Sequence, residues 1–123
     1  MLSAKILIVE DNLDTREMLH MYFALSGFNV ITADDGRQGL NMAEVEHPDL
    51  IITDISMPNL NGIEMTRLLR ARPEFEEVPI VVLTAHRSGN MTEAVHAGAT
   101  RTMYKPVMLD SLIDDVKALL PGH

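Results

Sequence analysis

Five short apolar runs alternate with five longer stretches of helical spacing. Ile6-Leu7-Ile8-Val9 opens the series, and its lack of polar alternation predicts a strand buried on both faces. Asn29 to Ala33 forms a second, weaker run. Leu50-Ile51-Ile52-Thr53 comes just after Pro48, and Ile80-Val81-Val82-Leu83 directly after Pro79. Proline suits a strand entrance and not a helix interior. Arg101 to Tyr104 is a short fifth run, and the β-branched content of the set favours strand over buried helix.

Between the runs the period changes. Thr15, Met18, Leu19 and Tyr22 repeat at i, i+3, i+4, i+7, the stripe of an amphipathic helix. Asn12 or Asp14 could cap it, the latter in a capping-box spacing with Glu17, and Ser26-Gly27 ends it. Asp34-Asp35-Gly36 marks a turn and cap before a second helix reaching Glu46. Met65, Leu68 and Leu69 stripe a third, closed by Ala71-Arg72-Pro73. A fourth runs from Asn90 to Ala97 and stops at Gly98. Leu109, Leu112, Ile113, Val116, Leu119 and Leu120 give the cleanest stripe, for a fifth. Strict βα alternation implies a parallel sheet with right-handed crossovers and helices on both faces. Five units in this length predict an α/β, doubly wound, five-stranded sheet of order 2-1-3-4-5, with five helices on two faces. Ligands of such sheets bind beyond the carboxyl ends of the strands, at the switch point between strands 1 and 3.

Composition narrows the field. The 123 residues fit one domain, 1–123, without internal repeat or interdomain linker; Pro121-Gly122-His123 reads equally as a natural end or the start of a linker. Eighteen acidic against ten basic side chains, a net charge of −8, disfavour nonspecific binding to nucleic acid or anionic lipid. The lack of cysteine excludes a disulfide framework and thiolate metal sites. The longest apolar runs are far too short to span a bilayer, and Glu10-Asp11 stops the first run after four residues, unlike a signal peptide. A cytoplasmic protein acting without membrane or direct nucleic-acid contact is expected.

The carboxyl ends of the strands carry the chemistry. Strand 1 ends in Glu10-Asp11, strand 3 in Asp54, strand 4 in Thr84 and strand 5 in Lys105. Each has an ordinary explanation: Asp11 as a helix cap, Glu10 as a surface acid, Thr84 as a common strand end, Lys105 as a solvated lysine. Those explanations do not account for all five falling on one sheet edge. Strands 1 and 3 are neighbours in the predicted order, so three carboxylates converge, and their repulsion penalises full ionisation. A divalent cation relieves that repulsion, and an all-oxygen set suits Mg²⁺. Lys105 supplies a positive charge suited to a phosphoryl oxygen.

At these residues the chain closely resembles the receiver domain of two-component response regulators. The match is an ordered set: Ile-Leu-Ile-Val-Glu-Asp-Asn, then Asp54-Ile-Ser-Met-Pro with Gly62, then Leu-Thr-Ala, Ala-Gly-Ala and Lys105-Pro106. The family has the flavodoxin-like fold just inferred. The resemblance implies that Asp54 is the phosphoacceptor, taking a phosphoryl group from a histidine kinase or histidine phosphotransferase and switching the binding of a downstream protein. It implies Mg²⁺ bound by Asp11, Asp54 and the Ser56 carbonyl, with Glu10 acting through a metal-bound water. Thr84 and Lys105 would each meet a phosphoryl oxygen, the backbone N–H groups of Ile55 and Ala85 would complete the cradle, and Lys105-Pro106 would be cis. Gly62 would supply positive φ after Met57-Pro58. Mg²⁺-dependent self-phosphorylation from small donors, slow self-dephosphorylation, and a monomer or weak dimer complete the expectation.

Three points modify it. The family usually carries an aromatic residue three positions before the lysine; here that position is Thr102, and Tyr104 directly precedes Lys105. Residues 102 and 104 share a face, but Tyr104 stands two places nearer the site with less freedom to swing, so a switch different from the usual threonine–aromatic pair is expected, with small displacements of helix 4 and strand 5. Ser56 and His86 stand two positions after the acceptor and after Thr84, where side chains influence attack of water on the aspartyl phosphate. Replacing His86 is expected to change phosphoryl lifetime more than Mg²⁺ affinity. Met18 and Met65 read as core filler, whereas Met91, Met103 and Met108 could belong to a partner-binding face. His20, His47, His96 and His123 lack ligand spacing, and Glu74, Glu76 and Glu77 read as a solvated loop.

The alternative is a phosphorylation-independent interaction module of the same fold, but such variants usually lose the acceptor, an acid or the lysine, all present here. A phosphohydrolase of the haloacid dehalogenase type needs a second aspartate two residues after the first, where Ser56 stands. Neither G-x-G-x-x-G nor G-x-x-x-x-G-K-[ST] occurs.

Overall fold

A computed structural model describes residues 3–85 and 90–120; His86 and His123 lie outside them. The elements alternate as expected: β1 (Lys5–Val9), α1 (Leu13–Leu25), β2 (Asn29–Ala33), α2 (Gly36–Glu46), β3 (Leu50–Asp54), α3 (Gly62–Arg70), a 3-10 turn (Pro73–Phe75), β4 (Ile80–Thr84), α4 (Asn90–Ala97), β5 (Arg101–Tyr104) and α5 (Leu109–Leu119). The strands form one parallel sheet in the doubly wound order β2-β1-β3-β4-β5. Among the described residues no helix is long and apolar enough to cross a membrane.

The uniformly apolar strands feed two cores, because successive side chains point to opposite faces. Leu7, Val9, Ile51, Ile80 and Val82 meet Leu40 and Ala43 of α2, Met65 and Leu69 of α3, and Ala94 and Ala97 of α4. Ile6, Ile8, Leu50, Ile52, Val81 and Leu83 meet Leu19 and Phe23 of α1 and Leu112, Ile113 and Val116 of α5. Each large side chain fully buried in this way is worth about 1.5–3 kcal/mol relative to exposure. The two layers hold the central strands from both sides and leave their carboxyl ends as the open rim.

Helix ends differ in detail from the pattern. Asn12, not Asp14, caps α1, its side chain accepting from the Thr15 N–H at 2.9 Å. Asp35 caps α2. Asn61 and Glu64 form a reciprocal capping box on α3 that the apolar spacing did not reveal. Met18 is not core filler: it is 41% exposed, as is Leu68 at 42%, whereas Met65 is fully buried. α1 turns Leu19 and Phe23 inward, so Phe23 takes the place that the Thr15–Met18–Tyr22 row suggested. The 3-10 turn was also unforeseen. It drops Phe75 into the core while Glu74, Glu76 and Glu77 stay in solvent, as read. His20, His47 and His96 are exposed.

Candidate functional site

The strand register assembles the site. Val9 lies beside Thr53, Asp54 beside Leu83, and Thr84 beside Tyr104, so the ends of β1, β3, β4 and β5 share one rim. Glu10 continues from β1 with its N–H donating to the Ala33 carbonyl at 3.0 Å, and Lys105 continues from β5 with its N–H donating to the Thr84 carbonyl at 2.8 Å. The Lys105-Pro106 peptide bond is cis.

At the centre the Lys105 Nζ donates to Asp54 Oδ2 at 2.9 Å and to Glu10 Oε1 at 3.0 Å. Asp54 Oδ1 accepts from the Ile55 N–H at 2.7 Å, and Glu10 Oε2 from the Asn12 N–H at 3.1 Å. Glu10 is therefore no surface acid. It is 2% exposed, and its backbone carbonyl accepts from Arg16 Nη1 at 2.9 Å. Asn12 and Arg16 are thus supports of the site that strand-end reasoning overlooked; the acid-acid-asparagine run before a helix was the available signal. Asp11 is exposed, and one oxygen from each of Glu10, Asp11 and Asp54 lies within 4.8 Å of the others.

Electrostatics follow from this geometry. Burial pushes the Glu10 carboxyl up, assisted by the Asp54 charge and opposed by the Asn12 N–H and by Lys105. Burial would lower the Lys105 ammonium, but its hydrogen bonds to Asp54 and Glu10 outweigh that and raise it. Three carboxylates around one ammonium leave a formal surplus of two negative charges at the rim. A convergent, all-oxygen donor set with that surplus fits a hard divalent cation such as Mg²⁺.

The remaining sequence-predicted residues fall around this centre. Thr84 is buried, while Ala85 and Ser56 are exposed on the segments that leave β4 and β3. Tyr104 stands opposite Thr84 in the register and is 37% exposed; Thr102 pairs with Val82, two residues further from the rim. Gly62 does not serve through positive φ. It opens α3, where an added Cβ would lie 2.0 Å from the Asp54 carbonyl oxygen, and its N–H donates to the Ile55 carbonyl at 2.9 Å. The positive φ of this loop belongs to Asn59, at 69°.

Comparison with known proteins gives one answer. A family model described as the response regulator receiver domain matches residues 6–117. The transcriptional regulatory protein PrrA of Mycobacterium tuberculosis is 40% identical over 119 residues, covering 96% of this chain and 50% of that protein. This chain thus spans about half the length of the curated relatives it matches. The chemotaxis response regulator CheY4 of Vibrio cholerae superposes with a TM-score of 0.90 at 32% identity, over 97% of this chain and 100% of that one. The receiver domain of the sensor histidine kinase PA1611 of Pseudomonas aeruginosa, solved with a magnesium ion in its active site cleft, gives 0.89 at 29% identity, over 96% and 98%. The sheet order, the rim of acids with its lysine, and these matches agree: the chain belongs to the response regulator receiver domain family.

Proposed function

We propose that Asp54 is the phosphoacceptor of this receiver domain. The observation that supports it best is the placement of the Lys105 ammonium between Asp54 and Glu10 on the open rim. Asp54 is 9% exposed at the rim, with Oδ1 held by the Ile55 N–H and Oδ2 by Lys105, which fixes the direction of its carboxylate. That carboxylate attacks the phosphorus of a phosphohistidine on a histidine kinase or phosphotransferase. An aspartyl P–O bond forms, the P–N bond breaks, and the imidazole nitrogen leaves with its electron pair and takes up a proton.

The residues present fit Mg²⁺: Asp11, Asp54 and the Ser56 carbonyl would hold it, Glu10 would assist through a water, and the bound ion would supply charge neutralisation for the transferring group. Lys105 neutralises a further phosphoryl oxygen, Thr84 donates its hydroxyl to another, and the N–H groups of Ile55 and Ala85 complete the cradle. Because catalysis is positioning and charge neutralisation within this chain, a small donor such as acetyl phosphate serves as well. Hydrolysis is slow and is tuned by Ser56 and His86. Small displacements of β5 and α4 carry the change to a downstream protein, while the Tyr104 ring, beside Thr84, stays near its place.

Intact mass after incubation with Mg²⁺ and acetyl phosphate tests this reading. One added phosphoryl group, lost in Asp54→Ala and without Mg²⁺, is expected. No gain from acetyl phosphate or from a phosphohistidine partner would overturn it.

A further inference from the structure

In the Mg²⁺ reading above, the segment between β3 and α3 supplies the Ser56 carbonyl, and contacts outside the rim hold this segment. Its near end is fixed by the Ile55 N–H on Asp54 and by the Gly62 N–H on the Ile55 carbonyl. Its far end is fixed by the capping box of Asn61 and Glu64. Between them the chain turns sharply: Asn59 has φ 69°, and the Leu60 N–H donates to the Pro58 carbonyl at 2.8 Å.

That turn leans on the start of α2. Asn59 Nδ2 donates to Asp35 Oδ2 at 2.7 Å, while Asp35 Oδ1 caps α2 by accepting from the Gln38 N–H, also at 2.7 Å. The next residue of α2 is Gly36, where an added Cβ would sit 1.8 Å from the Leu60 carbonyl oxygen. Backbone is therefore in close contact with backbone at this point, and the neighbouring side-chain bond fixes how the two slide. Hydrogen bonds to both oxygens, the Gln38 N–H first and the Asn59 amide second, hold the Asp35 carboxyl below the usual range, so it is a charged acceptor at neutral pH.

We infer that Asp35 and Asn59 form a latch that positions the Ser56 carbonyl for Mg²⁺. Asp35 is a positioning residue: it acts through Asn59 on the loop and does not itself join the cluster of Glu10, Asp11 and Asp54. This inference rests on the Mg²⁺ reading above. Supports of metal ligands typically change affinity 10–100-fold when removed, and a surface latch acting on one ligand belongs at about the lower end.

Two variants isolate the latch. Asn59→Gly keeps a residue that tolerates positive φ and drops the amide. Asp35→Ser keeps a good helix cap and drops the second acceptor. Mg²⁺ dissociation constants are read by titration of the full chain, followed by amide NMR, alongside urea stability. Each variant is expected to bind Mg²⁺ about 10-fold more weakly, and the double variant no more weakly than either, because both remove one interaction. Affinity within about twofold of wild type in both, or losses that add, would overturn the latch while leaving the metal site standing. A wild-type protein that binds no Mg²⁺ would overturn the site reading and the latch with it.

Discussion

Replacing Lys105 with alanine removes the ammonium that is hydrogen-bonded to both the Glu10 and the Asp54 carboxylates. Two unit charges about 4 Å apart attract by about 4 kcal/mol at an effective dielectric of about 20, and breaking a buried pair by removing one partner costs about 3–5 kcal/mol. Here the lysine side chain is 26% exposed, the Asn12 and Ile55 N–H groups remain, and water can enter the rim. A loss of about 2 kcal/mol near neutral pH, without Mg²⁺, is therefore expected. The sign with pH follows from Glu10, whose folded-state carboxyl already titrates above its ordinary 4.5. Such a group costs stability as pH rises from the unfolded value through the folded one, and without Lys105 that cost grows. The formal surplus at the rim also rises from two negative charges to three, so Mg²⁺ should bind the variant about 10-fold more tightly, equivalent to about 1.4 kcal/mol. Urea unfolding followed by circular dichroism, with and without Mg²⁺, measures both effects: the gap between variant and wild type should open without the ion and narrow with it. Equal stability without Mg²⁺, or equal stabilisation of both proteins by it, would refute the charge accounting.

Three further outcomes are expected. Gly62→Ala forces a Cβ to within 2.0 Å of the Asp54 carbonyl oxygen, so urea melts should show a loss of about 3 kcal/mol or more, with slower acetyl-phosphate labelling. The Asp35 carboxyl titrates below its ordinary 3.8, so its contribution is present above that value and is lost as pH falls through the folded one. The stability gap between wild type and Asp35→Ser should close in that acid window, which pH-dependent melts will show. With a phosphoryl mimic bound, amide NMR should show changes in β5 and α4 with little shift of the Tyr104 ring, and large ring shifts would contradict a small-displacement switch.

Much of this molecule was legible in its sequence, for physical reasons that also mark the limit. Runs such as Ile6–Val9 and Ile80–Leu83 are β-branched and too short for helices, so they could be read as strands, and strict alternation then dictated the parallel order. The rim was legible because parallel strands put all their carboxyl ends on one side, where Glu10, Asp54, Thr84 and Lys105 stood out as polar. What local pattern does not encode is which of two neighbouring rows a helix turns inward. Packing against β1 and α5 chose Phe23 over Met18. Nor does it encode contacts between distant segments: Asn59 on Asp35, Gly62 against the Asp54 carbonyl, and Phe75 under the 3-10 turn all depend on how loops meet. Gly62 shows the difference well, since its presence was noticed and its reason was not.

The measurement that bears most directly on the central claim is the location of the phosphoryl group. Protein labelled with acetyl phosphate and Mg²⁺ is reduced with borohydride, which converts an aspartyl phosphate to homoserine, and its peptides are sequenced by mass. Homoserine at position 54 alone, absent from the Asp54→Ala protein, is the predicted result. A reduced side chain at Glu10 or Asp11, or a mass gain undiminished in Asp54→Ala, would contradict it.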